Sequence, residues 1–241
     1  MSGGGRSAYA LDAGLIVQTI ERLQARIEAR FPASGLSAVC ASLAEAGRLT
    51  AEKARALARP YSGLRLLALL SVVIWLGLQG YVASLINWRD VWQHSDLVGI
   101  TQALDSAVNL LLLMFAANWF LWTWEMRLKR KRVYRDLYRL RALAHVIDMH
   151  QLTKDPSIEL VTGPVTAVSP ARAMSDFELS RYLDYCTEML ALIAKLAALY
   201  AGATQDSEIV TAANEIEDLT TNLGRKIWQK IMIISEFPNR T

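Results

Sequence analysis

The feature that most constrains this chain is a stretch without charge. Leu66 to Ile86, LLALLSVVIWLGLQGYVASLI, runs for 21 residues with no Asp, Glu, Lys, Arg or His. As a helix it covers roughly 30 Å, the hydrocarbon thickness of a bilayer, at about 1.5 Å per residue. A fully buried helix of a large soluble protein has a similar composition. A chain of 241 residues is too small to surround such a helix on all sides. Residues 66–86 therefore read as a membrane span.

A second apolar block, about Ala107 to Trp124, is shorter and holds Asn109 and Asn118. Its end carries an interfacial signature. Trp119, Trp122 and Trp124 are followed at once by Arg127, Lys129, Arg130, Lys131 and Arg132. Tyr81, Trp88 and Trp92 supply the aromatic residues expected at the opposite interface.

Basic residues set the expected orientation. Lys53, Arg55, Arg59 and Arg65 precede the first block, and RLKRKR with Arg135, Arg139 and Arg141 follows the second. The connection between them, about 87–106, holds Arg89 against Asp90, Asp96 and Asp105. The positive-inside rule places both termini in the cytoplasm and the loop outside. The expectation is a multi-pass protein of the inner (cytoplasmic) membrane. Within the loop, DLVGITQALD is expected to form one short interfacial helix.

Composition adds two limits. The chain is 53% hydrophobic, a value soluble domains also reach, so the distribution of apolar residues decides and not their total. The net charge of +3 does not mark a nucleic-acid binder. Cys40 and Cys186 lie far apart in predicted cytoplasmic segments and read as reduced, buried thiols. No early apolar block resembles a signal peptide, so the first span is expected to remain uncleaved.

Outside the apolar blocks, helical periodicity is nearly continuous. A helix over about Tyr9 to Phe31 carries Leu15, Ile16, Ile20, Leu23, Ile27 and Phe31 on one stripe, and Pro32 and Gly35 break it. A second covers about Leu36 to Ala58, with Leu36, Val39, Cys40, Leu43 and Leu57 inward. The second apolar block is expected to continue as a stalk to about Gln151, through Val133, Leu137, Leu140, Ala144 and Ile147. Residues 157–173 read as irregular, with a small hairpin weighed for IELVTGPVTAV. Ser175 and Glu178 have the spacing of a capping box. The helix behind them presents Leu179, Leu183, Cys186, Leu190, Ile193, Ala197 and Tyr200, and Gly202 ends it. The last helix, about Asp206 to Glu236, presents Ile209, Ala212, Ile216, Leu219, Leu223, Ile227, Ile231 and Ile234.

The predicted fold is all-α: a two-helix transmembrane hairpin with a cytoplasmic antiparallel helical bundle, the second span continuing as a long stalk. The expected divisions are an N-terminal helical pair (1–60), the hairpin (61–125), the stalk (126–156) and a C-terminal helical hairpin (157–241).

Candidate sites are few. His145, Asp148 and His150 are metal-capable, but five residues turn a helix by about 500°, so the two imidazoles diverge. The expected role of His145 is capping or packing in the bundle, and His150 sits near a helix C-terminus, where cations are favoured. Gln79, Asn109 and Asn118 are polar groups at membrane depth and should face another helix, a second subunit or a pore. Gly80 and Ser84 form a small-xxx-small pair. Arg127, Lys129, Arg130, Lys131, Arg132 and Arg135 fix topology and are expected to attract anionic lipid headgroups. Glu208, Glu215, Glu217 and Asp218 read as a solvated face. No P-loop, HExxH, GxSxG, dinucleotide fingerprint or CxxC occurs, and no cofactor is expected.

The layout of two spans with long cytoplasmic helices resembles the broad two-transmembrane effector class of bacterial defence systems. That resemblance implies membrane permeabilisation. The residues themselves lead to a non-enzymatic, homo-oligomeric scaffold or partner-docking module, anchored by the hairpin and open to a soluble protein partner. An oligomeric channel or permeabilising effector is the alternative, and a membrane-anchored metal-dependent enzyme the second.

Overall fold

A computed structural model describes residues 11–57, 62–85, 97–152, 154, 174–204 and 206–236. The chain is all-α. Among the described residues there are six helices: α1 (Ala13–Arg30), α2 (Gly35–Leu57), α3 (Ser62–Leu85), α4 (Leu97–Leu152), α5 (Asp176–Gly202) and α6 (Ser207–Glu236). The segment IELVTGPVTAV lies outside the described residues. The chain divides into two compact units, Met1–Ala58 with Arg132–Thr241, and Arg59–Lys131.

The first unit is a helical bundle. Its helices start and stop for local reasons. The Asp12 carboxylate accepts from the Gly14 and Leu15 amides at 2.7 and 3.3 Å, supplying partners that the first turn of α1 lacks. The Phe31 amide donates to the Ile27 carbonyl, and the chain then turns through Ala33 at φ 55°. Ser175 and Glu178 form the complete capping box at the head of α5. Those hydrogen bonds to Ser175 lower the Glu178 carboxyl pKa.

Packing follows the 3.6-residue period. Ile16, Ile20, Leu23 and Ile27 line the buried side of α1. Leu15, expected on that stripe, is 63% exposed, because one residue turns the helix by about 100°. α5 is buried around most of its circumference, from Leu179 through Cys186, Met189 and Ile193 to Tyr200. It packs against α1, α2 and α6, and α1 packs on α2. On α6 the inward row is Ile209, Ala213, Ile216, Thr220, Leu223 and Ile227. Ala213 and Thr220 thus take places expected for Ala212 and Leu219. The last third of α4 adds Val133, Leu137, Leu140, Ala144 and Ile147 to the same core. Burying a side chain of Leu or Ile size contributes about 1.5–3 kcal/mol.

The second unit holds α3 and the first part of α4. Here the large apolar side chains face outward: Leu69, Val73, Ile74 and Leu78 on α3, and Leu112, Leu113 and Phe115 on α4, are each 59–68% exposed. The half-buried residues mark the seam between the helices. They include Ser71, Val72, Trp75 and Gln79 on α3, and Met114, Asn118, Leu121 and Thr123 on α4. Ser71 Oγ donates across the seam to Asn118 Oδ1 at 3.4 Å.

The start of the second apolar block also changes. DLVGITQALD is no separate helix: the part from Leu97 onward is the first turns of α4, which begins ten residues before the expected start. No proline interrupts the chain there, and Ile100, Gln102, Ala103 and Leu104 are compatible with helix. Among the described residues, two helices are long and apolar enough to cross a membrane: Leu104–Leu152, with no part of its apolar window buried, and α5, with 56% of its window buried in the bundle. α5 owes its apolarity to its place among the bundle helices. A shorter apolar stretch, Leu69–Tyr81, lies in α3.

Candidate functional site

The most developed polar site in the bundle is built on Asp136. It lies beside Leu137 on the inward side of α4 and is 7% exposed. A carboxylate at that depth needs partners, since burying a charge unpaired is costly. Three helices supply them. Lys53 Nζ of α2 donates to Oδ1 at 2.7 Å. The Tyr200 hydroxyl of α5 donates to Oδ2 at 3.1 Å. Arg139, one turn along α4, stands 3.7 Å from Oδ1. Thr50 of α2, itself buried, lies close to the Tyr200 hydroxyl.

Burial, reinforced by the charge of Asp136, raises the Tyr200 pKa. The phenol therefore stays protonated and remains a donor. Among the described residues no buried side-chain nitrogen or oxygen lacks a hydrogen-bond partner. The network is thus a closed set of donors and acceptors. A cavity of about 450 Å³ opens beside it between α2 and α4, with Leu49, Leu143 and Val146 as its apolar lining and Ser42, Glu45 and Arg139 among its polar groups.

A second polar contact closes the C-terminal end of α4. The Gln151 side chain donates to Asp148 Oδ1 at 2.6 Å and accepts from Lys230 Nζ at 2.7 Å. Lys230 also donates to the Gln151 main-chain carbonyl at 3.1 Å. A cation there satisfies a terminal carbonyl and complements the helix dipole. On the surface between α1 and α5, Arg26 pairs with Glu188 and lies 5.8 Å from the centre of the Tyr185 ring. Ser37 pairs with Glu28 at the α1–α2 turn.

The metal candidates separate. His145 is exposed, not packed in the bundle, because it lies on the outer side of α4. Asp148 is engaged by Gln151, and the His150 ring lies against Gly35 of α2. No group of three His, Cys, Asp or Glu side chains able to hold a metal occurs among the described residues.

The polar residues of the second unit also diverge. Asn118 uses both polar atoms within the second unit, its amide donating to the Met114 carbonyl at 3.1 Å. Asn109 is exposed and 3.4 Å from Asp105, and Gln79 is half-buried at the seam. Gly80 has open space where a side chain would be, and Ser84 turns back to the Tyr81 carbonyl.

Arg127, Lys131, Arg132 and Arg135 are exposed along α4, whereas Lys129 and Arg130 are half-buried. Part of the acidic face is tied to the same helix: Glu215 pairs with Arg141 at 3.6 Å, and Glu208 accepts from Tyr134 at 3.5 Å. Both cysteines are free and buried. Burial pushes the Cys40 thiol up to about 11 and the Cys186 thiol up to about 12.

Asp136 escapes the sequence reading because it sits in a basic run, RKRVYRDLYRLR, where it looks like one more surface charge. Its one legible signal is its position next to the apolar stripe. No protein-family model, curated protein or solved structure matches the chain.

Proposed function

We propose that the chain is a non-enzymatic membrane protein whose hairpin anchors a helical bundle that serves as a scaffold or docking module. The observation that carries this reading is the contrast between the two units. The bundle turns its large apolar side chains inward, whereas the hairpin leaves a continuous apolar surface uncovered. Surface of that extent calls for a bilayer or neighbouring apolar helices. The basic residues Arg127, Lys131, Arg132 and Arg135 then meet anionic headgroups on the cytoplasmic side, where both termini also lie. Within one chain, α1, α2, α5, α6 and the end of α4 already cover one another's apolar faces. Association into a homo-oligomer therefore draws on the uncovered hairpin helices, and the bundle surface is left for a soluble partner.

The test is fractionation and sizing of the full chain. Retention in the membrane pellet after an alkaline carbonate wash is expected, as is a mass of more than one chain in mild detergent. Release by carbonate would defeat the anchor, and a strict monomer at every concentration would defeat the oligomer.

A further inference from the structure

The chain passes between its two units twice, at Ala58–Arg59 and at Lys131–Arg132. Lys53 lies five residues before Ala58, and Asp136 lies five residues after Lys131. Each lies within the last or first few residues of the first unit on its side of the crossing. The 2.7 Å contact between them therefore joins the two segments by which the units are connected. Tyr200 brings α5, the central helix, to the other oxygen of the same carboxylate.

We infer that Lys53–Asp136 is a clamp that ties the two connecting segments together, so that displacement of one is passed to the other and to α5. The physical reason is the depth of the carboxylate. Asp136 is nearly inaccessible, and a buried charge that loses its partner is strongly destabilised until another replaces it. Sliding α4 along its axis by one residue moves Asp136 by about 1.5 Å, enough to break a hydrogen bond of 2.7 Å. The apolar contacts around Leu137 and Leu140 are less directional and tolerate small shifts better. The two segments thus move together or not at all. A partner or ligand acting on α2 or α5 therefore acts on both segments at the clamp. The clamp belongs to the connecting segments themselves, so it stands or falls independently of where the hairpin resides.

Hydrogen exchange on the full chain, in mild detergent and in phosphatidylcholine vesicles, tests this. In Lys53→Met and Asp136→Asn, exchange of amides 50–57 and 132–137 is expected to rise by about tenfold or more, with the cores of α5 and α6 keeping their protection. The exchanged pair Lys53→Asp with Asp136→Lys should recover much of that protection. If it does not fold, Lys53→Met decides alone, because the Lys53 side chain is 45% exposed and the Tyr200 hydroxyl still holds the other carboxylate oxygen. Ile20→Val, which weakens the bundle at the α1–α2 contact, serves as the control and should not single out those two segments. Unchanged exchange, or an equal rise across all bundle helices, would overturn the clamp.

Discussion

Gly47 of α2 and Ile20 of α1 are in contact at a point where no side chain fits: a Cβ on Gly47 would stand 2.9 Å from Ile20 Cδ1. Leu196 of α5 closes the same space at 3.8 Å. Ile20 is fully buried and has little room to move. Gly47→Ala is therefore expected to destabilise the bundle. The overpacking costs about 1–3 kcal/mol and exceeds the gain of up to about 1 kcal/mol in helix propensity. Ile20→Val removes the clashing methyl and should make Gly47→Ala neutral or stabilising in that background. Denaturant melts of the two single variants and the double variant measure this coupling, and strict additivity would contradict the contact.

Ala33 offers the opposite change. Its φ of 55° places a non-glycine residue in the left-handed region, where Cβ crowds the following carbonyl. Ala33→Gly should stabilise the bundle by about 0.5–1 kcal/mol, the strain relieved being larger than the added freedom of the unfolded chain. An unchanged or lowered melting temperature would count against this conformation of the α1–α2 turn.

Lys230 fastens α6 to the end of α4 through Gln151, whose side chain is almost fully buried. Lys230→Met is expected to cost about 1–3 kcal/mol, because it leaves the Gln151 oxygen without its donor in a buried setting. Adding Gln151→Leu removes the orphaned group and should return part of that loss. A Lys230→Met variant as stable as the parent would show that the contact contributes nothing.

The thiols predict a pH dependence. The unfolded Cys pKa is near 9, while burial holds Cys40 at about 11 and Cys186 at about 12. Between pH 9 and 11 the unfolded chain has lost protons that the folded chain still binds, so stability falls as pH rises. The slope approaches 1.4 kcal/mol per pH unit for each thiol, an upper figure. Burial also raises the Tyr182 and Tyr200 pKa values, which adds to the fall above pH 10. Below pH 9 these groups are protonated in both states, and their contribution is constant. Cys40→Ala with Cys186→Ala should flatten the slope between pH 9 and 11 even if it lowers the plateau. At pH 8 neither thiol should react with a disulfide reagent until the bundle unfolds. Rapid labelling of the native chain would contradict their burial.

Asn118 is expected to matter for the pairing of α3 with α4, and Asn109 much less. Replacing Asn118 with Leu removes the contact to Ser71, a loss of about 0.5–1.5 kcal/mol for a typical hydrogen bond between helices. Asn109→Leu should leave the pairing unchanged, because Asn109 is exposed. Thermal unfolding in one detergent compares the two, and equal effects would argue against the seam.

The helices are legible in the residue order, because helix formation is governed by neighbours a few residues apart. The apolar period located α1, α2, α5 and α6 to within a few residues, and Ser175 with Glu178 announced the start of α5 before any packing was known. It also set apart the two long apolar blocks, since the lack of charge in residues 66–86 needs no neighbour to be read. Packing settles the roles that depend on partners distant in the chain. Asp136 is a buried acceptor because Lys53 and Tyr200, 83 and 64 positions away, meet it there. Gly47 is small because Ile20 needs its space, and Leu15 is outside because its neighbour Ile16 is in. Nor does apolarity alone tell α5 from the first part of α4: both are long and apolar enough to cross a membrane, yet half of one is buried in the bundle and the other is bare. Lipid and protein interior favour the same side chains, so only the packing around a helix tells which of the two it meets.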